Sequence, residues 1–300
     1  MTKIFFVFFS AFFSYAAVGA LWFLHWLPLP LLRFLGRVLG ALLFCFARKR
    51  CQVVRINLQL CFPNLSEAER SRLLRRHFVV FAQSLLDRSL LWWASRQRLL
   101  RLIHLKGAEN LQRDDGCPTL LLAPHFVGLD VGGIAIALNT SVVSVYSNQK
   151  NPVFNAVFLA GRMRFNAPVL LSRQEGMRRA LKSMKQGLPF YYLPDMDFGR
   201  KESIFVPFFG VPAATITGVS RLARITGAKV VPCIARMTAK GYDIELMPPW
   251  ENFPGASVEE DTVFMNQYIA RQVETMPEQY YWLHKRFKTR PPGEVKIYPS

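Results

Sequence analysis

His125 and Asp130 are the residues whose types and spacing could do chemistry. They close the segment Leu120-Leu-Leu-Ala-Pro-His-Phe-Val-Gly-Leu-Asp130. On a continuous helix, positions five apart point ~140° apart around the axis and do not meet. An apolar run that stops at Pro124 predicts a strand. His125 is therefore expected in the turn after it, and Asp130 in the first turn of the helix that follows. Gly128, Gly132 and Gly133 allow close packing there. A carboxylate beside an imidazole holds one tautomer and leaves the other nitrogen free as a base. Such a base can deprotonate a hydroxyl for attack on an acyl carbonyl. The spacing alone is weak evidence in a chain with 20 acidic residues and five histidines, and His104 with Glu109 repeats it. That second pair has no change from strand to helix around it, and His104 reads as a half-buried strand residue.

Further candidates lie downstream. Arg162 and Arg164 in Gly161-Arg-Met-Arg-Phe could bind phosphate or carboxylate oxygens, or form a solvated basic face. Asp195 and Asp197 follow the apolar run Phe190–Leu193, at the end of an expected strand, where α/β sheets carry their sites. Asp197 could pair with Arg162, position substrate, or simply cap a turn. Phe208 and Gly210 could line a slot for an apolar chain or form a core turn. No third ligand accompanies the two aspartates, so no metal is expected. Cysteines 45, 51, 61, 117 and 233 are odd in number and match no zinc spacing, which predicts reduced thiols.

These residues need elements to hold them. Short apolar runs at Thr119–Ala123, Ser141–Tyr146, Pro168–Leu171, Pro189–Leu193, Lys229–Ala235 and Tyr242–Met247 alternate with helical stretches near 151–164, 175–187, 213–227 and 260–276. That alternation predicts an α/β domain with a mixed, largely parallel sheet flanked by helices. Ahead of it, Ser66 and Glu69 form a capping box that should start a long helix ending near Ala94. Leu73, Leu74, Phe78, Phe81, Leu85 and Trp92 mark its apolar side, and Arg70, Arg72, Arg75 and Arg76 its basic side.

The chain is 51% hydrophobic, with 25 Phe, yet carries a net charge of +18. Apolar plus basic points to anionic lipid rather than nucleic acid. The stretch Ile4–Leu27 has no Asp, Glu, Lys or Arg, and as a helix it would reach ~36 Å, enough to cross a bilayer. Pro28 and Pro30 end it. Before Glu67 the cations are Lys3, Arg33, Arg37, Arg48, Lys49, Arg50 and Arg55, nearly all after the apolar run, which places the folded domain on the cytoplasmic side. Leu29–Phe46 is apolar but carries Arg33 and Arg37 four apart on one face, which predicts a helix lying on the membrane; a second crossing helix is the alternative. The expected division is 1–28 as transmembrane anchor, 29–65 as amphipathic surface segment and 66–300 as the α/β domain.

Taken together, these segments resemble the late acyltransferases of lipid A biosynthesis, the lauroyl and myristoyl transferases, within the wider lysophospholipid and glycerolipid acyltransferase superfamily and its H-x4-D/E motif. The resemblance is carried by five segments: residues 120–130; Arg55-Ile-Asn-Leu-Gln-Leu-Cys-Phe-Pro-Asn-Leu-Ser66; Gly161–Phe165; Leu193-Pro-Asp-Met-Asp-Phe-Gly199 with Val206-Pro-Phe-Phe-Gly210; and Pro277-Glu-Gln-Tyr-Tyr-Trp-Leu-His-Lys-Arg-Phe-Lys288. It implies a glycerolipid acyltransferase-like fold and an inner-membrane enzyme with its domain on the cytoplasmic side. It implies an acyl carrier protein thioester as donor and a hydroxyl of a hydroxyacyl chain on a lipid A precursor as acceptor, with no cofactor. His125 would be the base and Asp130 the residue that orients it. Many of these enzymes have Glu where this chain has Asp130, which leaves chain length and acylated position open. Two other readings stand beside it: another glycolipid or glycerophospholipid acceptor, and a non-catalytic membrane-binding protein on this fold. Pro194-Asp-Met-Asp departs from the P-E-G-T-R of glycerolipid enzymes, and the intact His125/Asp130 motif argues against a non-catalytic role.

Overall fold

A computed structural model describes residues 2–111, 116–172 and 177–299. The N-terminal third is helical: α1 (Thr2–Leu24), α2 (Leu29–Phe46), α3 (Arg48–Cys61), α4 (Glu67–Trp93) and α5 (Arg96–Leu102). The capping box starts α4 as its sequence requires. Ser66 Oγ accepts from the Glu69 N–H at 3.2 Å, and Glu69 Oε2 accepts from the Ser66 N–H at 2.8 Å. Leu73, Leu74, Phe78 and Trp92 are buried as expected, while Arg72, Arg75 and Arg76 are exposed. Arg70 is half-buried and donates to the carbonyls of Phe62 and Pro63, each at 3.2 Å.

α2 departs from expectation in its arginines. Its two arginines do not share an outward face. Arg33 is buried and donates to Asp87 of α4 at 2.6 Å, while Arg37 is exposed. The helix is drawn onto α4 through Gly36 and Gly40, where a Cβ would lie 2.4 Å from Gln83 Cγ and 2.7 Å from Val79 Cα. Small residues four apart allow two helix backbones to approach this closely. The periodicity could not show that the charge at Arg33 has a buried partner 54 residues away. The opposite face, with Leu31, Phe34, Val38, Leu42 and Phe46, is exposed. By length and composition Leu29–Phe46 could cross a membrane. α1 packs on α4 and on the later helix Pro152–Arg162, and Trp22, Phe23 and Trp26 near its end are exposed. Within the expected 29–65 surface segment, α3 contributes Val53, Val54, Leu58 and Cys61 to the main core.

The rest is an α/β layer structure. Strands β1 (Ile103–Lys106), β2 (Thr119–Leu122), β3 (Val143–Tyr146), β4 (Val169–Ser172), β5 (Phe190–Tyr192), β8 (Lys229–Met237) and β9 (Tyr242–Leu246) form one sheet in the order β1-β9-β8-β2-β5-β3-β4. All neighbours are parallel except β8 and β9. This is the mixed, largely parallel sheet that the alternation predicts. Helices α6 (Leu129–Asn139), α7 (Pro152–Arg162), α8 (Met177–Lys185), α9 (Gly218–Thr226) and α10 (Val258–Thr275) accompany it. Residues 175 and 176 of the helix expected near 175–187 lie outside the described residues.

Two expectations fail locally. His104 is on β1, but it is exposed, with Nδ1 3.2 Å from Asp243. The helix expected over 213–227 begins only at Gly218. Residues Val211–Ile216 form β7, paired antiparallel with β6 (Ser203–Phe208). The two-residue turn Phe209–Gly210 has φ of 51° and 76°, the geometry that matches the twist of a tight hairpin. A Phe in place of the usual Asn or Asp hides that turn, and Ala213-Ala214 reads as helix.

Candidate active site

β2 is fully buried and ends at Leu122. The chain then passes through Ala123 and Pro124 to His125. The neighbouring strand β5 ends at Tyr192, and the pairing continues beyond both strands, with the Ala123 N–H donating to the Tyr192 carbonyl at 2.9 Å. Residues just past the two ends must therefore meet. Asp195, with 0% exposure, accepts from His125 Nδ1 at 2.7 Å and from the His125 backbone N–H at 2.9 Å. The other side of the His125 segment is held by the C-terminal signature. The Tyr281 N–H donates to the His125 carbonyl at 2.9 Å, and the Val127 N–H to the Gln279 carbonyl at 2.8 Å. Gln279 is in turn fixed by its side-chain amide to both backbone groups of Met237, at 2.8 and 2.9 Å.

Burial by itself would raise the Asp195 carboxyl. The charge and the two hydrogen bonds of His125, with the nearby Arg286, outweigh it and hold the carboxyl below its usual range. An ionised carboxylate only accepts, so Nδ1 of His125 carries a proton, and in the neutral form of the ring Nε2 presents its lone pair. The imidazole is 18% exposed, so that lone pair is reachable.

Asp130 is the correction. It is in the first turn of α6, as expected, but among the described residues no hydrogen bond or ion pair joins it to His125. Its Oδ1 accepts from Arg162 Nη2 at 2.7 Å and its Oδ2 from Arg88 Nε at 3.3 Å. Burial would raise its carboxyl, but Arg162 and then Arg88 pull it down to about 2. The start of α6 aims this side chain at α4 and α7, not back at the turn. Of the three glycines nearby, Gly132 is the one that close packing demands, since a Cβ there would sit 2.5 Å from the Tyr191 hydroxyl. That hydroxyl donates to the Leu129 carbonyl at 2.9 Å. Burial pushes the phenol well up, with Cys233, Asp130 and Asp195 adding to the effect.

The other candidates separate. Arg162 reaches the site. Arg164 donates to the carbonyls of Leu91 and Ala94 at 2.6 and 2.5 Å, closing the C-terminal end of α4. Asp197 does not pair with Arg162. Its Oδ1 accepts from the Gly199 N–H at 2.9 Å and the Thr289 hydroxyl at 2.8 Å, and its Oδ2 from the Thr289 N–H at 2.7 Å, which pins the C-terminal tail. The Asp197 N–H donates to Nε2 of His284 at 2.9 Å. Phe208 is buried among Phe209, Tyr280 and Phe287 rather than lining a slot, and Gly210 is the second hairpin residue.

An apolar cavity of about 80 Å³ lies between α6 and strands β3–β5. Ile134, Ala137, Val145 and Leu170 line it, and Asp130 with Arg162 forms its charged end. The sequence reading missed this cavity's walls, Arg88 and the supporting role of Gln279. Arg88 had no local signal: it is one of several arginines along α4, and only tertiary packing sets it apart.

The model of a family described as bacterial lipid A biosynthesis acyltransferase matches residues 3–289. The chain is 33% identical to the lipid A biosynthesis lauroyltransferase of Escherichia coli over 290 residues, covering 95% of this chain and 94% of that one. It is 32% identical to the lipid A biosynthesis myristoyltransferase of the same organism, covering 90% and 83%. Among solved structures, the 1-acyl-sn-glycerophosphate acyltransferase of Thermotoga maritima matches at a TM-score of 0.40 and 16% identity, over 82% of this chain and 98% of that one.

Proposed function

Because this chain belongs to the bacterial lipid A biosynthesis acyltransferase family, we propose that it moves a fatty-acyl chain from an acyl carrier protein thioester to a hydroxyl on a hydroxyacyl chain of a lipid A precursor. The observation that carries the mechanism is the 2.7 Å contact between His125 Nδ1 and Asp195. Nε2 of His125 takes the proton from the acceptor hydroxyl. The oxygen attacks the thioester carbonyl, the carbon–sulfur bond breaks, and the departing thiolate takes the proton from the imidazolium. Asp195 fixes the tautomer and stabilises the imidazolium while it exists. The product is an ester and a free carrier-protein thiol, and neither metal nor covalent enzyme intermediate enters. The exposed apolar faces of α1 and α2 and the +18 charge support work at the inner, anionic face of the cytoplasmic membrane, where both lipid substrate and donor are reachable.

The cavity takes the tail of the donor's acyl chain. Gly133 lines it, and a Cβ there would have Tyr191 Cε1, 3.9 Å away, as its nearest neighbour. A Gly133→Leu side chain therefore grows into the cavity. The expected result is a shift of donor preference to shorter chains by at least tenfold in relative kcat/KM, read by competing thioesters. Unchanged preference would remove the cavity from the reaction.

The reading is tested with washed membranes carrying the full chain, given acyl carrier protein thioesters and a tetraacylated lipid A precursor. Mass spectrometry should find one added acyl chain. If glycerophospholipid gains the chain instead, the acceptor is wrong. If nothing is acylated by folded, membrane-bound protein, the enzyme reading fails.

A further inference from the structure

The pair of arginines on Asp130 is more than is needed to hold one carboxylate. Three helices converge there: α4 brings Arg88, α6 brings Asp130 and α7 ends in Arg162. Two guanidinium charges face one carboxylate, leaving the group net positive. Both guanidinium carbons also lie over the same ring, Phe158, at 5.1 Å for Arg88 and 5.9 Å for Arg162. A shared aromatic face and a bridging carboxylate hold the two side by side despite their repulsion. Each uses a single nitrogen on Asp130. Among the described residues, the remaining nitrogens of both make no hydrogen bond. Their side chains are 27% and 33% exposed, so those nitrogens are open to a ligand. A guanidinium presents its donors in a fork that fits phosphate oxygens, and two forks with a surplus charge fit a phosphate dianion.

The geometry points to Arg88 as the second arm of a phosphate-binding site, shared with Arg162 and held open by Asp130, which receives a phosphate group of a substrate. This rests on the function proposed above and adds to it what that site grips. Two substrates carry phosphate: the lipid acceptor, and the prosthetic arm of the carrier protein. The site borders the apolar cavity, which Asp130 and Arg162 both line.

The test uses the full chain in membranes, with Arg88→Ala and Arg88→Gln, the latter keeping a donor for Asp130. Transfer is measured with intact substrates, with an acceptor stripped of its phosphates, and with an acyl-pantetheine donor lacking phosphate. With intact substrates both variants should raise one substrate's KM at least tenfold and change kcat less than threefold. The penalty should vanish with the acceptor that lacks phosphate if the acceptor is gripped, or with the phosphate-free donor if the arm is gripped. A penalty that persists with both phosphate-free substrates, or that appears in kcat with KM unchanged, overturns the proposal. Thermal unfolding of both variants within a few degrees of wild type excludes simple misfolding as the source of the KM change. A wild type inactive toward every substrate pair would instead sink the acyl-transfer reading, and this proposal with it.

Discussion

Asp195→Asn should lower kcat by about 10³–10⁴-fold with little change in KM, a loss of the size seen when the carboxylate behind a catalytic histidine becomes an amide. The amide oxygen can still accept from the His125 backbone N–H. Its NH₂ then faces Nδ1, where the carboxylate accepts at 2.7 Å. The imidazole must turn its lone pair toward the amide and its proton toward the acceptor, which is the wrong tautomer for a base. The imidazolium formed during the reaction also loses its counter-charge. Asp130→Asn should behave differently. It frees Arg88 and Arg162 from their shared anchor, so its main effect is on KM and on sensitivity to salt, with kcat falling less than a hundredfold. Single-turnover rates of the two variants decide between them. If Asp130→Asn costs more in kcat than Asp195→Asn, Asp130 is the partner of His125 during the reaction and the assignment made here is wrong.

Acid should destabilise the protein well above the carboxylate range. His77 has 0% exposure and donates from Nδ1 to the Glu278 carbonyl at 2.9 Å, while its Nε2 has no partner among the described residues. Burial pushes it from 6.5 down to about 4. Burial, with Arg286 and His125 close by, pushes His284 down to about 4 as well. Between those limits the unfolded chain binds protons that the native chain refuses. Stability is therefore full above pH 6.5 and is lost as pH falls toward 4. The drop is worth about 3 kcal/mol for His77 and less for the partly exposed His284. Together they approach the whole stability of a marginal domain, roughly 5 kcal/mol. Denaturant unfolding in detergent, followed by tryptophan fluorescence from pH 7 to 4, should show this slope. His77→Gln, which retains a donor for Glu278 and cannot titrate, should remove about half of it. A wild-type midpoint that stays level across that range would mean that neither ring is kept neutral by burial.

Much of the frame is written locally. Ser66 and Glu69 start α4, the apolar run ending at Pro124 makes β2, and the glycines that follow admit α6; each depends on neighbours within one or two turns. Strands alternating with helices fix the sheet as largely parallel, because parallel neighbours need crossovers of that length. His125 could be singled out as the proposed base for the same reason: it sits in the turn three residues past a buried strand. Its partner was not. Spacing suggested Asp130, the nearest carboxylate along the chain, but a side chain in the first turn of a helix points where that helix packs, here toward α4 and α7. Asp195 was visible as a residue at the end of a strand, yet nothing in the sequence says that β5 lies beside β2. Strand order is decided by which faces the helices cover, over the whole domain at once. The same holds for Arg33, buried on Asp87, for Arg164, spent on the end of α4, and for Arg88, chosen among the arginines of one helix by its distance from Asp130. Sequence alone determined most strands of the main sheet and the helices between them, though not the hairpin over 203–216, and it singled out His125 as the candidate to take a proton. Only tertiary structure decided which charges meet, because a charge finds its partner through space, and most of these partners are 30 to 70 residues away along the chain.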